Sequence, residues 1–477
     1  MISENEQDNL IRTVWREENK INNNEDNSQN NNNEFEFEST FSGGIFSNDQ
    51  SFLFNQNTNE IISPTERETV KDKFYKNRVL ILKHIPFIIP FEVRVNMFRA
   101  MIEQDKRNRT GPFEWSSPVT RATIRRDRIF EDGYDQLNSS NLRQKVQISF
   151  INEQGLPEAG IDGGGVFKEF LTSITHQAFD MNYGLFLSTS NQCLYPNPHS
   201  YARQDERLRY YEFLGRILGK ALYEGILVDV FFASFFLSKW VKLGGISYLD
   251  DLPSLDEELY KGLLYIKNYK GDIRDLSLTF SIDDEQFGVA KSIDLIANGS
   301  SIPVTDENKI QYIYHMANYK LNTQIYPQCK AFFRGLSDLI EPRWLQMFNQ
   351  QELQTLISGS NSASVDIIDL KMNTEYSGVY DENHPTIKLF WQVVNDLSEE
   401  QKRKLIKFVT SCPRPPLLGF KTLQPKFAIR DSGNDQERLP TSSTCINLLK
   451  LPVYRTYDVM KSKLIYSISS DSGFELS

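Results

Sequence analysis

Nucleophilic chemistry in this chain would fall to one of four cysteines: Cys193, Cys329, Cys412 and Cys445. They lie far apart and none belongs to a C-x-x-C pair, so a disulfide framework and a zinc ribbon are not expected. The five histidines (His84, His176, His199, His315, His384) form no metal-ligand spacing. A free cysteine is usually a small buried hydrophobe. That reading suits Cys193, Cys329 and Cys412, the last of which opens a proline-rich turn that offers no base. Cys445 differs. It follows Pro440-Thr441-Ser442-Ser443-Thr444, a polar loop, and precedes the apolar segment Ile446 to Leu451. A loop thiol is accessible, and thiolate reactivity rises with access and nearby positive charge. Arg438 and Lys450 are the cations closest in sequence.

A thiol hydrolase needs a histidine to activate its cysteine. The carboxy-terminal part of the chain holds only His384, between Asn383 and Pro385. A transthiolation enzyme needs less, because it receives an already activated thioester and mainly requires access and positioning. Cys445 therefore fits an acyl carrier better than a hydrolase, which stays as the alternative.

The elements that must position this cysteine are legible in part. The chain has 477 residues with 39% hydrophobic and 12% aromatic side chains, enough for a sizeable core. Its net charge of −10 disfavours nucleic-acid binding. The amino terminus has acids and no apolar h-region, so no secretory signal is read there. The run Ala221 to Trp240 carries Glu224, Asp229 and Lys239, which argues for buried helices and against a membrane span. A reducing compartment, cytosolic or nuclear, is expected.

Residues 1–75 read as a disordered extension around the asparagine tract Asn22 to Asn33. Within it, Leu10, Ile11, Val14 and Trp15 have the spacing of a short amphipathic docking helix. Val79 to Leu82 reads as a strand, and Val93, Met97 and Met101 as one helix face. Val146, Ile148 and Phe150 alternate as in a half-buried strand. The basic run Ile124 to Ile129 reads as a solvated strand face, since it lacks the aromatic interleaving that base stacking uses. Asp162-Gly163-Gly164-Gly165 reads as a tight turn into a helix, because a P-loop would continue with Gly-Lys-Ser/Thr. Leu214, Ile217, Leu218, Leu222 and Ile226 form one apolar stripe. Leu259, Leu263, Ile266 and Tyr269 form another, on a small exposed helix. Ser358 to Ser364 reads as a flexible joint. Beyond it, Thr386 to Val394 and Glu399 to Val409 read as helices and Lys426 to Ile429 as a strand.

Five segments, in order, carry a family resemblance. They are Ile161 to Phe170 (IDGGGVFKEF), Phe213 to Leu222 (FLGRILGKAL), Phe332 to Gly335 (FFRG), Leu439 to Pro452 (LPTSSTCINLLKLP) and the ending Gly473 to Ser477 (GFELS). Over roughly residues 80 to 477 the chain resembles the HECT-type ubiquitin ligases. The resemblance implies a bilobal α/β (α+β) fold: a large, mostly helical amino-terminal lobe (76–360), a hinge (361–364) and a small α/β carboxy-terminal lobe (365–477) bearing the cysteine. It implies ubiquitin transfer from a ubiquitin-conjugating enzyme to Cys445, then to a substrate lysine, with no metal or nucleotide cofactor. Thr444 matches a threonine that positions the thioester, and Phe474 an aromatic residue used late in transfer. Leu259, Leu263, Ile266, Tyr269, Tyr312 and Met316 fall where the family binds its conjugating enzyme, although core packing is the competing reading of such stripes. Implied partners are the conjugating enzyme, ubiquitin, protein substrates and the proteasome, with no nucleic acid and no membrane. Leu156 to Asp162 and Leu448 to Pro452 look closest to the branch that extends chains on proteasome-bound clients. Ser443 stands where many relatives have histidine, a departure from the family pattern that puts a histidine-assisted step at that position in doubt. A non-catalytic, ubiquitin-gripping scaffold is the further alternative.

Overall fold

A computed structural model of the chain describes residues 86–109, 119–152, 154–158, 165–241, 249–286, 289–360 and 364–469. The expected strand at Val79 to Leu82, the segment Leu10 to Trp15, the asparagine-rich extension and Phe474 lie outside these residues. By packing, the chain divides into two units, Met1–Gln104 and Asp105–Ser477. Helix α1 (Phe91–Arg109) begins in the first, where Val93, Met97 and Met101 form a buried face as their spacing predicts.

In the second unit, β1 (Val119–Arg125) and β2 (Lys145–Ile151) pair in parallel, with Ile124 opposite Phe150. A parallel pair needs a crossover, here through α2 (Ile129–Leu137). Ala122, Ile124, Val146, Ile148 and Phe150 are buried, so period-2 alternation fixes the inward face of both strands. Helix α3 (Gly165–Ala178) follows, with Phe170, Leu171 and Ile174 fully buried. The turn expected at Asp162 to Gly164 lies outside the described residues. The hairpin β3 (Phe186–Ser188) and β4 (Leu194–Pro196) leads to α4 (Asp205–Glu224) and α5 (Ser234–Val241). Gly225, at φ +73°, ends α4, so Ile226 falls outside the helical stripe. No described helix is long and apolar enough to cross a membrane. Next come α6 (Glu257–Asn268), the hairpin β5 (Ser281–Gln286) and β6 (Val289–Asp294), α7 (Lys309–Leu321), α8 (Tyr326–Ser337), α9 (Pro342–Leu345) and α10 (Gln350–Ser358).

Two of the family-like segments meet where α4 crosses α8. A Cβ on Gly335 would lie 1.8 Å from the Glu212 carbonyl oxygen, and one on Gly215 would lie 2.0 Å from that of Phe332. Backbone touches backbone here, so only glycine fits. The close approach seats Phe332 in an aromatic cluster with Phe186, Phe232, Phe236 and Trp240, ring centroids 5.4 to 6.3 Å from its own.

A separate core gathers residues from Val365 to Ile468 only. It is built from α11 (Ile367–Met372), β7 (Thr374–Ser377), α12 (Pro385–Asn395), α13 (Glu399–Thr410), β8 (Phe427–Asp431), β9 (Thr441–Ser443), β10 (Leu448–Leu451) and α14 (Tyr457–Ser469). The sheet runs β7-β8-β10-β9, with β9 alone antiparallel. The expected helices at Thr386 to Val394 and Glu399 to Val409 are α12 and α13, and the strand at Lys426 to Ile429 is β8. Between the two bodies the small-residue run starts later than its composition suggests. Helix α10 continues through Ser358, which is fully buried. Gly359 has φ +81°, and a Cβ there would sit 2.8 Å from that of Arg414. Residues 361–363 lie outside the described residues.

The helix crossing gives a first prediction. Gly335→Ala forces α4 and α8 apart and is expected to destabilise the fold by about 2 kcal/mol or more, the scale of overpacking a tight core. Urea unfolding measures this, and a loss below about 0.5 kcal/mol contradicts the close crossing.

Candidate active site

The polar run before Cys445 and the apolar run after it become the two arms of a hairpin. Ser443 pairs with Leu448, Ser442 with Leu449 and Thr441 with Lys450. The loop between them is Thr444-Cys445-Ile446-Asn447, and Thr444–Ile446 form a 3₁₀ turn. Cys445 is the middle residue of that turn, at the tip of an edge hairpin. Its thiol lies outside the described atoms. Thr444 is half-buried beside it, and Ile446 is exposed.

Asn447 closes the loop. It is fully buried with φ +51°, a left-handed conformation that asparagine tolerates better than other side chains with a Cβ. Its N–H donates to the Thr444 carbonyl (3.3 Å), and its own carbonyl accepts from the Ala428 N–H (2.9 Å). Its side-chain NH2 donates to the Pro425 carbonyl. Its Oδ1 accepts from Lys168 Nζ at 2.6 Å. Every polar group of this buried residue is engaged, as burial demands.

Lys168 is the cation that reaches the turn, and it stands 279 positions away in sequence. Neither sequence neighbour does the same. Lys450 lies opposite Thr441, at the far end of the hairpin. Arg438 donates to the Ser432 carbonyl (3.0 Å). Lys168 belongs to α3, which packs on the Thr444–Ile446 turn. The placement of α3 rests on the basic run. Arg126 takes Glu158 bidentately (2.8 and 2.7 Å), reaches Glu169 at 2.5 Å and lies over the Phe150 ring at 3.9 Å. Its hydrogen bonds to Glu158 raise the guanidinium pKa further, and Arg126 in turn lowers that of Glu158. Arg125 pairs with Asp132 at 2.6 Å. These two arginines of the run are therefore paired within the fold.

A second cation crosses the same seam in the opposite direction. Arg414, almost fully buried, donates to Asp229 Oδ1 and to the Ser358 carbonyl, both at 2.9 Å, and covers the Phe231 ring at 4.4 Å. It thus ties the carboxy-terminal core to the end of α10.

His384 is not a base for this site. It caps α12, its Nδ1 accepting from the Thr386 N–H at 3.2 Å, and packs edge-on to Tyr380. Burial raises the pKa of each of the other cysteines. Burial raises the Cys193 thiol despite Thr189. Burial also pushes Cys329 up to about 12 and raises Cys412 against the opposing pull of Arg414 and Lys168. Among the described residues no His/Cys/Asp/Glu cluster could hold a metal ion.

The HECT-domain (ubiquitin-transferase) family model matches residues 172–477. The chain belongs to the HECT family. It is 49% identical over 403 residues to a probable E3 ubiquitin protein ligase of Schizosaccharomyces pombe, covering 84% of this chain and 39% of that protein. It is 45% identical over 443 residues to the human ubiquitin-protein ligase E3B (85% and 41%). With the E3 ubiquitin-protein ligase HUL5 of Saccharomyces cerevisiae it is 44% identical over 429 residues (86% and 46%). The chain thus spans less than half the length of these relatives.

The six residues expected to bind a conjugating enzyme fall on two helices that pack together, α6 and α7, and on Tyr269, which caps α6. They do not form one exposed groove. Leu263, Tyr312 and Met316 are 2, 5 and 5% exposed, and Tyr312 packs edge-on to Phe280. Leu259, Ile266 and Tyr269 are half-buried. The residues turned outward are Tyr265, Ile310 and Tyr314, at 60, 56 and 44%. Ile310 and Tyr314 are spaced i, i+4, as are the inward Tyr312 and Met316, so α7 has an apolar pair on each of two faces.

The thiol environments predict selectivity. Burial pushes the Cys329 thiol up to about 12, so little of it is thiolate at pH 8. Its iodoacetamide labelling is expected to be slow in the folded chain, to rise with pH only in strong alkali and to become fast on unfolding. Peptide mass mapping reads this, and rapid native labelling of Cys329 contradicts the assigned burial.

Proposed function

We propose that this chain is the catalytic part of a ubiquitin ligase and that Cys445 carries ubiquitin as a thioester. The observation that carries the reading is the placement of Cys445 at the tip of an edge hairpin in a chain of the HECT family, while burial raises the pKa of the other three thiols. A charged conjugating enzyme docks on α6 and α7. The Cys445 thiolate attacks the donor thioester, and the donor cysteine leaves as its thiolate. A substrate lysine then attacks the new thioester, forming an isopeptide and releasing the Cys445 thiolate.

Thr444 positions the thioester, and Phe474, outside the described residues, acts at the second transfer. Residues 76–360 and 365–477 act as two lobes joined at 361–364, because one nucleophile must meet first a donor and then an acceptor. In docking, Tyr265, Ile310 and Tyr314 supply the contact surface, while Leu263, Tyr312 and Met316 hold the two helices beneath it. Chain extension on substrates and delivery to the proteasome, in the cytosol or nucleus, complete the reading.

The test is incubation with charged conjugating enzyme, read on a non-reducing gel. The unsubstituted chain is expected to form a thiol-sensitive ubiquitin adduct that Cys445→Ala abolishes; an undiminished adduct in the variant sinks the assignment. Tyr265→Ala with Tyr314→Ala is expected to raise the KM for the charged donor about tenfold or more, as loss of aromatic anchors does. An unchanged KM contradicts the outward surface.

A further inference from the structure

The Lys168–Asn447 contact satisfies a buried amide oxygen and also links the turn bearing Cys445 to a distant helix. Asn447 leads into β10 of the carboxy-terminal sheet, and Lys168 lies on a helix that contributes nothing to that body's core. The backbone of Asn447 is already fixed by its bonds to Thr444 and Ala428, both local to the sheet and turn. The side-chain amide has one remaining degree of choice, its orientation. Donation to the Pro425 carbonyl and acceptance from an ammonium together select one orientation. An ammonium can only donate, so Lys168 admits Oδ1 and rejects the flipped amide. The turn that carries Cys445 is therefore set partly from across the seam.

Lys168 is itself held. Its neighbour Glu169 is taken by Arg126, which is locked to Glu158 and stacked on Phe150. Arg414 ties the two bodies at a second point, near the joint. Resting on the reading of Cys445 as the ubiquitin carrier, we propose that Lys168 is a positioning residue for ubiquitin transfer. Docking of α3 on the turn orders the loop through Asn447, and undocking withdraws the ammonium and loosens it. Loading of Cys445 is thereby coupled to whether the two bodies are together.

The experiment uses the full chain with Lys168→Ala, Lys168→Arg, Asn447→Gly and the Lys168→Ala/Asn447→Gly pair. Asn447→Gly keeps the left-handed backbone and removes the amide. Single-turnover loading from a charged conjugating enzyme is expected to slow about tenfold in Lys168→Ala at saturating donor, the scale of one charge-assisted hydrogen bond. KM is expected to stay within about twofold, since the docking helices are untouched. Lys168→Arg is expected to restore the rate to within about threefold, because the donor is kept. The double variant is expected to be no slower than Asn447→Gly alone, since both changes break one contact. Hydrogen exchange supplies a readout without chemistry: the peptide spanning residues 444–449 is expected to lose protection in Lys168→Ala. Full-rate loading by Lys168→Ala, a loss confined to KM, failure of Lys168→Arg to restore the rate, additive losses in the double variant or unchanged exchange each overturn the proposal. An unsubstituted chain that forms no adduct overturns the ubiquitin reading instead, and the exchange result then decides alone whether Lys168 orders the turn.

Discussion

The buried amide of Asn447 is the constraint on which the turn bearing Cys445 depends. A hairpin loop of four residues at a sheet edge has little of its own to hold it, and its tip would be mobile in isolation. Asn447 supplies the left-handed residue that closes the loop, and its side chain pins the loop to Pro425. The cost of burying an asparagine is offset because its backbone and both ends of its side-chain amide find partners. One of those partners, Lys168, comes from outside the carboxy-terminal core. The geometry of the turn bearing Cys445 is therefore a property of two bodies.

The seam between those bodies is tied by polar contacts. The core from Val365 to Ile468 is closed on itself, and the aromatic cluster around Phe332 serves the other body. The named ties across the seam are Lys168 to Asn447 and Arg414 to Asp229, Ser358 and Phe231. Charge-assisted hydrogen bonds contribute about 1.5–3 kcal/mol each, far less than an apolar core. Ties of that size are weak beside the close crossing of α4 and α8, where Gly215 lies against the Phe332 carbonyl and Gly335 against that of Glu212.

Much of this was legible in the sequence where a pattern is local. The period-2 burial of Val146, Ile148 and Phe150, the face of Val93, Met97 and Met101, and helices α12 and α13 follow from spacing alone. The Thr/Ser run after Pro440 read as a loop, yet Thr441–Ser443 is strand β9 and the turn proper is Thr444–Ile446, because β10 pairs with the run. Long-range pairing was not legible. Arg438 and Lys450 are the cations nearest Cys445 in sequence, yet α3 brings Lys168 to the turn from 279 positions away. The basic run at Ile124 to Ile129 looked solvated, but Arg126 has three partners that the sequence scatters across forty residues. The family resemblance put Tyr312 and Met316 of α7 in a binding surface, with core packing as the competing reading; both are buried, while Ile310 and Tyr314 face out. Spacing identifies a stripe, and only the neighbouring helix decides which stripe is core. The run from Ser358 read as flexible from its composition, while Arg414 holds the Ser358 carbonyl in place.

The most direct test of the central claim replaces one atom. Cys445→Ser exchanges sulfur for oxygen at the tip of the hairpin, so a ubiquitin adduct formed there is an oxygen ester. The account predicts that incubation with charged conjugating enzyme gives an adduct that survives thiol reductant, is cleaved by mild alkali and maps to Ser at position 445 by peptide mass analysis. An adduct in this variant that remains reductant-sensitive, or that maps to Cys193, Cys329 or Cys412, contradicts it.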